Sequence, residues 1–151
     1  MNGQEDIAPY KTFQIRPQLL ESGKTVQFMK LGEALTCSVQ VVASGGETNL
    51  HAHTGSEAIW LVLNGRATFY GEADRVIATL GRNDALYIPA GAPYWFESSS
   101  PDNLVILRFG AMLANVENKR IDYSERKFAL RGEAGYGDRP TKVMEGAFFG
   151  G

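Results

Sequence analysis

The chain has 151 residues, a formal net charge of −2 and a hydrophobic fraction of 44%. This length fits one domain, and the apolar content excludes a chain that is disordered throughout. Acidic and basic residues are interspersed, so no basic stripe is present to bind phosphates and we expect no nucleic acid partner.

Other features of the composition bear on location and redox chemistry. No segment approaches the roughly 18 apolar residues of a membrane span, and residues 1–8 lack the apolar run of a secretory signal. We therefore expect a cytoplasmic protein with no membrane partner. Cys37 is the single cysteine, which excludes an internal disulfide. It alternates with Val39 and Val41 on one predicted strand face, as a small core residue would.

From about residue 11 to residue 110 the sequence consists of short β segments, each bounded by glycine, asparagine, aspartate or proline. Valine, isoleucine and aromatic residues dominate these segments, as is typical of strands. The predicted strands, in chain order, are residues 11–16, 25–31, 35–43, 58–63, 66–70, 75–79, 85–88, 94–97 and 104–109. The pattern predicts an all-β fold, with a β domain that occupies residues 1–110 and includes the N-terminal strands.

Two local signals refine this picture. Asn64-Gly65 separates two predicted strands and readily supplies the backbone angles of a tight turn, which predicts a β-hairpin there. Residues 111–151 differ in character, with a predicted short helix at 111–119 followed by charged and glycine-rich sequence. We expect this C-terminal extension to pack on the β domain or on a partner subunit, because Phe148 and Phe149 would be costly to leave in water.

The two histidines of the chain stand as His51-Ala52-His53, with Glu57 following. Side chains two residues apart on a strand point to the same face, so both imidazoles can bind one divalent ion. Imidazole suits zinc, iron, nickel and copper, and an added carboxylate extends the range to manganese. A pair of neutral histidines that only satisfies local hydrogen bonds is the alternative. We favour metal binding, with His51, His53 and Glu57 as candidate ligands.

These residues resemble the first motif of the cupin superfamily: Gly, five residues, His-X-His, three or four residues, Glu, six residues, Gly. Gly45, His51, His53 and Glu57 match the motif, whereas Gly65 comes one position late. With the strand aligned backward from Gly65, the glutamate position falls on Ala58. Strand alternation then turns Glu57 away from the histidines unless a bulge restores it.

The second cupin motif resembles Gly, five residues, Pro-X-Gly, two residues, His, three residues, Asn. Pro89 and Gly91 match it, Asn83 replaces the first glycine, and Tyr94 replaces the histidine. The resemblance implies a cupin double-stranded β-helix, or jelly-roll barrel, commonly paired as a homodimer. It also implies a site inside the barrel mouth, and functions that range from dioxygenases, isomerases and lyases to pure binding proteins.

Three hypotheses for function follow from these residues. The first is an enzyme that acts on a small oxygen-bearing metabolite, with a divalent transition metal (Fe, Mn, Ni or Zn) on the histidines. The second is a binding protein that has lost the full ligand set, and the third is a metal-free isomerase in which His53 or His51 is the base and Tyr94 the acid. Tyr94 could instead be a third metal ligand in place of Glu57, or an aromatic side chain that only packs in the core. Trp60 and Phe96 are expected to line the pocket for a small-molecule ligand.

Overall fold

The computed structural model describes residues 5–47, 49–128, 134 and 136–151. Within them the regular secondary structure is almost entirely strand, which confirms the all-β prediction. The elements are β1 (Gln18–Ser22), β2 (Lys24–Lys30), β3 (Leu35–Val42), β4 (His51–His53), β5 (Ser56–Asn64), β6 (Ala67–Tyr70), a 3-10 turn (Glu72–Asp74), β7 (Val76–Leu80), β8 (Ala85–Ile88), β9 (Trp95–Ser98), β10 (Leu104–Met112), β11 (Arg120–Asp122) and β12 (Lys142–Phe148). No helix in this part of the chain is long and apolar enough to cross a membrane.

The strands form two opposing layers. One layer is a five-stranded antiparallel sheet in the order β2-β3-β10-β5-β8. The other contains the β7-β6-β9 sheet and the β11-β4 pair. His51 and Tyr94 exchange two backbone hydrogen bonds of 3.1 and 2.9 Å, which joins β4 to the residue just before β9. The second layer is therefore nearly continuous from β11 to β7.

The main core lies between the two layers. The five-stranded sheet contributes Trp60, Val62 and Ile106, and the facing layer contributes Phe69 and Phe96. All five side chains are at most 1% exposed. Burying aromatic and branched side chains in this way stabilises the sandwich of sheets by the hydrophobic effect.

A second core covers part of the outer face of the five-stranded sheet. It contains Cys37, Val39 and Val41 of β3, packed under the β1-β12 pair. Cys37 is 2% exposed, so it is the small core residue that strand alternation predicts. Phe149 packs against this cluster, whereas Phe148 is 37% exposed and lies under the guanidinium of Arg16 at 5.1 Å.

Several expected elements differ from those observed. Residues 111–119 do not form a helix: β10 continues to Met112, and irregular chain leads to β11. Residues 11–16 form no strand either. The domain boundary expected at residue 110 falls inside β10, and β11 and β12 both pair with strands of the barrel.

The Asn64-Gly65 turn is present, but the predicted hairpin is wrong. Gly65 adopts a φ of +76°, as such a turn requires. The strands that flank it belong to different layers, however, since β5 pairs with β10 and β8 while β6 pairs with β7 and β9. The turn therefore carries the chain from one sheet to the other, and local sequence does not distinguish that from a hairpin.

Candidate functional site

A cavity of about 270 Å³ opens between the two layers at one end of the barrel interior. Four residues proposed from sequence line it, namely His51, His53, Trp60 and Tyr94. The remaining lining residues are mostly polar: Phe28, Thr36, Ser38, Gln40, Glu47, Ser56, Arg108, Met112, Asn118 and Arg120. Its volume is near the lower end of the roughly 300–1,000 Å³ of small-molecule sites.

The strand β4 places both imidazoles in this cavity. It is held between β11 on one side and Tyr94 on the other, and its alternation turns His51 and His53 to the same face. The centroids of the two rings are 5.2 Å apart and their planes are almost perpendicular, at 84°. His51 is 1% exposed and His53 is half-buried. The two histidines therefore share one enclosed volume.

The orientation of His51 is fixed by a backbone contact. Its Nδ1 lies 2.8 Å from the carbonyl oxygen of Asn49. A carbonyl can only accept, so Nδ1 carries the proton and donates, and Nε2 keeps a free lone pair. Asn49 is held in turn, because its side-chain amide donates to Asp122 and to the carbonyl of Ser124. This is the arrangement that orients a histidine for a ligand on Nε2.

Burial keeps both imidazoles uncharged at neutral pH. Desolvation lowers the pKa of His51 from its usual range, although the carboxylate of Glu47 partly offsets the effect. The pKa of His53 is lowered to about 4, mainly by desolvation and also by His51, Arg108 and Arg120, while Glu47 opposes the shift. Neutral imidazoles are the form that accepts a proton or binds a metal ion.

Tyr94 lies beside the histidines and stays protonated. Its ring centroid is 4.7 Å from that of His51, and its side chain is 3% exposed. Burial and the charge of Glu47 raise its pKa, while Arg108 and the indole of Trp60 face the hydroxyl and oppose the rise. The Trp60 contact is not a regular hydrogen bond, since Nε1 of that indole is buried with no partner among the described residues. The Tyr94 hydroxyl therefore stays protonated at neutral pH.

Two arginines complete the cavity wall; from the sequence, Arg108 is a possible polar contact or a solvated strand residue, and Arg120 has no predicted role. Arg108 projects inward from β10 and donates to Thr36 Oγ1 at 3.2 Å. Arg120 comes from β11, where it pairs with His53 in register. It donates to Asn49 Oδ1 at 2.7 Å and to Asp122 at 3.0 Å. Strand alternation could have placed Arg108 on the inward face, opposite to its neighbour Leu107. Nothing in the local sequence indicates that Arg120 lies at the site.

The structure moves Glu57 out of the site, which corrects its assignment as a metal ligand. Strand alternation in β5 turns Ser56 and Trp60 inward and Glu57 outward, without a bulge at this point. The carboxylate of Glu57 accepts a hydrogen bond of 2.8 Å from the hydroxyl of Tyr87 on the outer face. Among the described residues, no group brings three histidine, cysteine, aspartate or glutamate side chains together as a metal site.

Phe96 also differs from its expected place. It was expected to line the pocket, but it is fully buried in the main core, with its ring centroid 5.0 Å from that of Trp60. It therefore supports the cavity wall from behind. Alternation along β9 correctly indicates that Tyr94 and Phe96 face the same way, but it does not indicate how deep the cavity reaches.

Comparison with known proteins identifies the kind of barrel. Residues 38–109 match the family model described as a cupin domain. The chain matches no curated protein sequence. A solved structure of an uncharacterized conserved protein with a double-stranded β-helix domain from Klebsiella pneumoniae is similar, with a TM-score of 0.64 and 16% identity; the match covers 80% of this chain and 98% of that one.

Two further solved structures carry functional names. KdgF from Halomonas sp. has a TM-score of 0.51 and 20% identity, with 62% of this chain and 83% of that chain covered. The DMSP lyase DddQ from Ruegeria pomeroyi has a TM-score of 0.50 and 19% identity, with 64% of this chain and 51% of that chain covered. At these identities the likeness shows a common fold, a double-stranded β-helix.

Proposed function

We propose that this chain, which belongs to the cupin superfamily, is an enzyme that acts on a small oxygen-bearing organic metabolite. His51 and His53 hold a divalent transition metal ion in the cavity. The observation that carries the proposal is the convergence of two uncharged imidazoles on one enclosed volume. A barrel that served only as a scaffold would have no physical need to bury two such groups together.

The residues present fit a metal ion held through two imidazoles. His51 keeps Nε2 free because Nδ1 donates to Asn49. Two imidazoles that share an ion at about 2.0–2.1 Å have ring centroids roughly 5 Å apart, which agrees with the arrangement of His51 and His53. Without Glu57, water and substrate oxygen atoms would have to complete the coordination of such an ion. When bound, such an ion would supply Lewis-acid chemistry, polarising a carbonyl or stabilising an enolate.

A second candidate is favoured by the contact between Tyr94 and His51. A buried phenol that stays protonated, beside an imidazole that stays neutral, forms an acid and base pair. That pair would suit an isomerase that needs one proton taken and one returned, without a metal ion. The third possibility, a binding protein with no catalytic step, uses the same cavity.

Elemental analysis of protein purified without a nickel column separates the first two candidates. We expect a transition metal near one equivalent in the wild type, its loss in His51→Ala and its retention in Glu57→Gln, which lies outside the cavity. Absence of metal from the wild type would remove the metal-dependent proposal. Tyr94→Phe tests the alternative: on an identified substrate it should abolish turnover in the metal-free mechanism while the fold persists.

We also propose that the chain forms a homodimer. On the outer face of the five-stranded sheet, beyond the part that β1 and β12 cover, an apolar groove of about 200 Å³ is lined by the exposed side chains of Leu35, Ile59, Tyr87 and Phe109. Apolar patches of this kind often mark protein interfaces. Sedimentation should show a dimer that Ile59→Lys converts to a monomer; a wild-type monomer would contradict the proposal.

A further inference from the structure

We infer that the ligand of this cavity is a small hydroxycarboxylic acid, whose carboxylate binds the guanidinium of Arg108. The inference rests on the proposed function, because it concerns the same cavity, and it names the chemical class that the cavity accepts. Three features of the lining support it: the charges, the buried polar atoms that lack partners, and the space made for Arg108.

The charges of the lining favour an anion. Arg108, Arg120 and Glu47 are the charged side chains that line the cavity, so the guanidinium groups outnumber the carboxylate. His51 and His53 add hydrogen-bond donors or lone pairs to the lining without adding negative charge. Glu47 would repel an anion that approached its end of the cavity, so the ligand carboxylate belongs at the Arg108 side.

Arg108 and Arg120 differ in how their charges are balanced. Arg120 donates to Asp122, so a carboxylate already neutralises it in part. Arg108 forms no ion pair with any described residue. Its guanidinium contacts the hydroxyls of Thr36 and Tyr94 and lies 5.9 Å from the ring centroid of Trp60. A guanidinium has five N–H donors in a planar fork that fits a carboxylate. Because Arg108 is half-buried and no carboxylate of the described residues balances its charge, its guanidinium can bind the carboxylate of a ligand.

Two buried polar atoms of the lining indicate what else the ligand carries. Gln40 is 7% exposed and Trp60 is 1% exposed, yet Gln40 Oε1 has no hydrogen-bond partner among the described residues, and Trp60 Nε1 faces the Tyr94 hydroxyl without a regular hydrogen bond. One is an acceptor and the other a donor, and leaving such groups unsatisfied is unfavourable. A hydroxyl group both donates and accepts, so a ligand with hydroxyl groups beside its carboxylate can satisfy them.

Gly110 makes room for the guanidinium of Arg108. A Cβ atom at position 110 would lie 2.5 Å from Arg108 Nη1 and 2.5 Å from Thr36 Oγ1. Glycine at this position lets the guanidinium fold down against the strand beside the Thr36 hydroxyl. The variant Gly110→Ala therefore displaces the guanidinium while its charge is kept, which separates the position of Arg108 from its charge.

The experiment is a calorimetric titration of the full chain, both as purified and after dialysis against EDTA. The probes are lactate, glycerate, malate and gluconate, each compared with its neutral amide. We expect at least one acid to bind, at least tenfold more tightly than its amide, and the preference to fall at least tenfold in Arg108→Gln and in Gly110→Ala. Glu57→Gln serves as the matched control and should bind as the wild type does. Circular dichroism and thermal melting establish that each variant is folded.

The outcomes separate this inference from the proposed function. Acid binding by EDTA-dialysed protein supports the inference even where no metal is found. If no acid binds more tightly than its amide, or if Arg108→Gln keeps the wild-type preference, the inference is overturned, whether or not His51 and His53 bind a metal ion.

Discussion

Arg120 lies directly opposite His53 in the antiparallel pair of β11 with β4. The same guanidinium donates to Asn49 Oδ1, and the carbonyl of Asn49 accepts the hydrogen bond that orients His51. One residue of the C-terminal segment is therefore linked to both histidines, to His53 through strand register and to His51 through Asn49. The segment after β10 is part of the site.

This relationship predicts how the two imidazoles titrate. Arg120 lowers the pKa of both histidines, whereas Arg108 contributes to the lowering only for His53. Arg120→Leu should raise both values, and Arg108→Leu should raise the pKa of His53 with a smaller effect on His51. Because the chain has only two histidines, proton NMR of metal-free protein resolves both titrations. Unchanged values in Arg120→Leu would contradict the placement of β11.

Acid should destabilise the metal-free protein through the same residues. The pKa of His53 falls from 6.5 in the unfolded chain to about 4 in the fold, so the unfolded state binds more protons between these values. Stability is unaffected by this group above about pH 6.5 and declines as pH falls toward about 4. Because His53 is only half-buried, solvent screening limits the loss to about 1–2 kcal/mol.

Urea denaturation at pH 7 and pH 5 measures this effect. His53→Gln has no imidazole to protonate, so its free energy of unfolding should fall less between the two pH values than that of the wild type. Equal losses in the two proteins would show that His53 is not desolvated in the fold.

Two glycines with similar backbone angles should respond differently to alanine. Gly65 has a φ of +76° and a Cβ there would lie 2.7 Å from the carbonyl oxygen of Asn103, whereas Gly91 has a φ of +81° and no atom within 4 Å. Gly91→Ala should cost about 1 kcal/mol from the left-handed angle alone. Gly65→Ala adds a backbone clash and should cost more than about 2 kcal/mol. Thermal melting of both variants measures the two losses of stability. Equal losses would mean that the turn at Gly65 can move away from Asn103.

Local patterns predict most of the barrel but not its long-range pairings. Alternation of apolar and polar residues identifies β3, β5 and β8 within two residues and β10 except for its last three residues, because each strand has at least one buried face. The pairs β1-β12 and β4-β11 join segments that are far apart in the sequence. Nothing in the local sequence specifies such partners, so β1, β11 and β12 were missed, and Arg120 with them.

The site was predicted in part for a related reason. The histidine pair was recognised because its spacing brings both imidazoles to one face whatever the strand pairs with. On β3, by contrast, Thr36, Ser38 and Gln40 alternate with buried apolar residues and resemble a solvated face, although they line an internal cavity. An inward polar row can be distinguished from an exposed one only when the opposing layer is known. Glu57 was assigned as a ligand because it matches the first cupin motif. Strand alternation indicated instead that it points away from the histidines, and the structure agrees with alternation.

Phe96 should be essential to the stability of the cavity wall. It is fully buried, and its ring packs 5.0 Å from both Trp60 and Phe69. Phe96→Ala should lower the free energy of unfolding by about 3–5 kcal/mol through lost burial and the cavity left behind. Val76→Ala, at a side chain that is 56% exposed, should change it by less than about 0.5 kcal/mol. Urea melts of the two variants test this, and a loss below about 1 kcal/mol in Phe96→Ala would refute the packing described.

We expect His51 and His53 to act together on one bound group. Titration of metal-free, ¹⁵N-histidine-labelled protein with Zn²⁺, followed by NMR of the ring nitrogens, tests it most directly. We expect the signals of both imidazoles to change together, with the change complete at one equivalent of Zn²⁺. The Nε2 signal of His51 should shift while Nδ1 stays protonated. In His51→Gln, the apparent affinity for zinc measured at His53 should fall at least tenfold. Imidazoles that respond at separate zinc concentrations, or only one that responds, would contradict it.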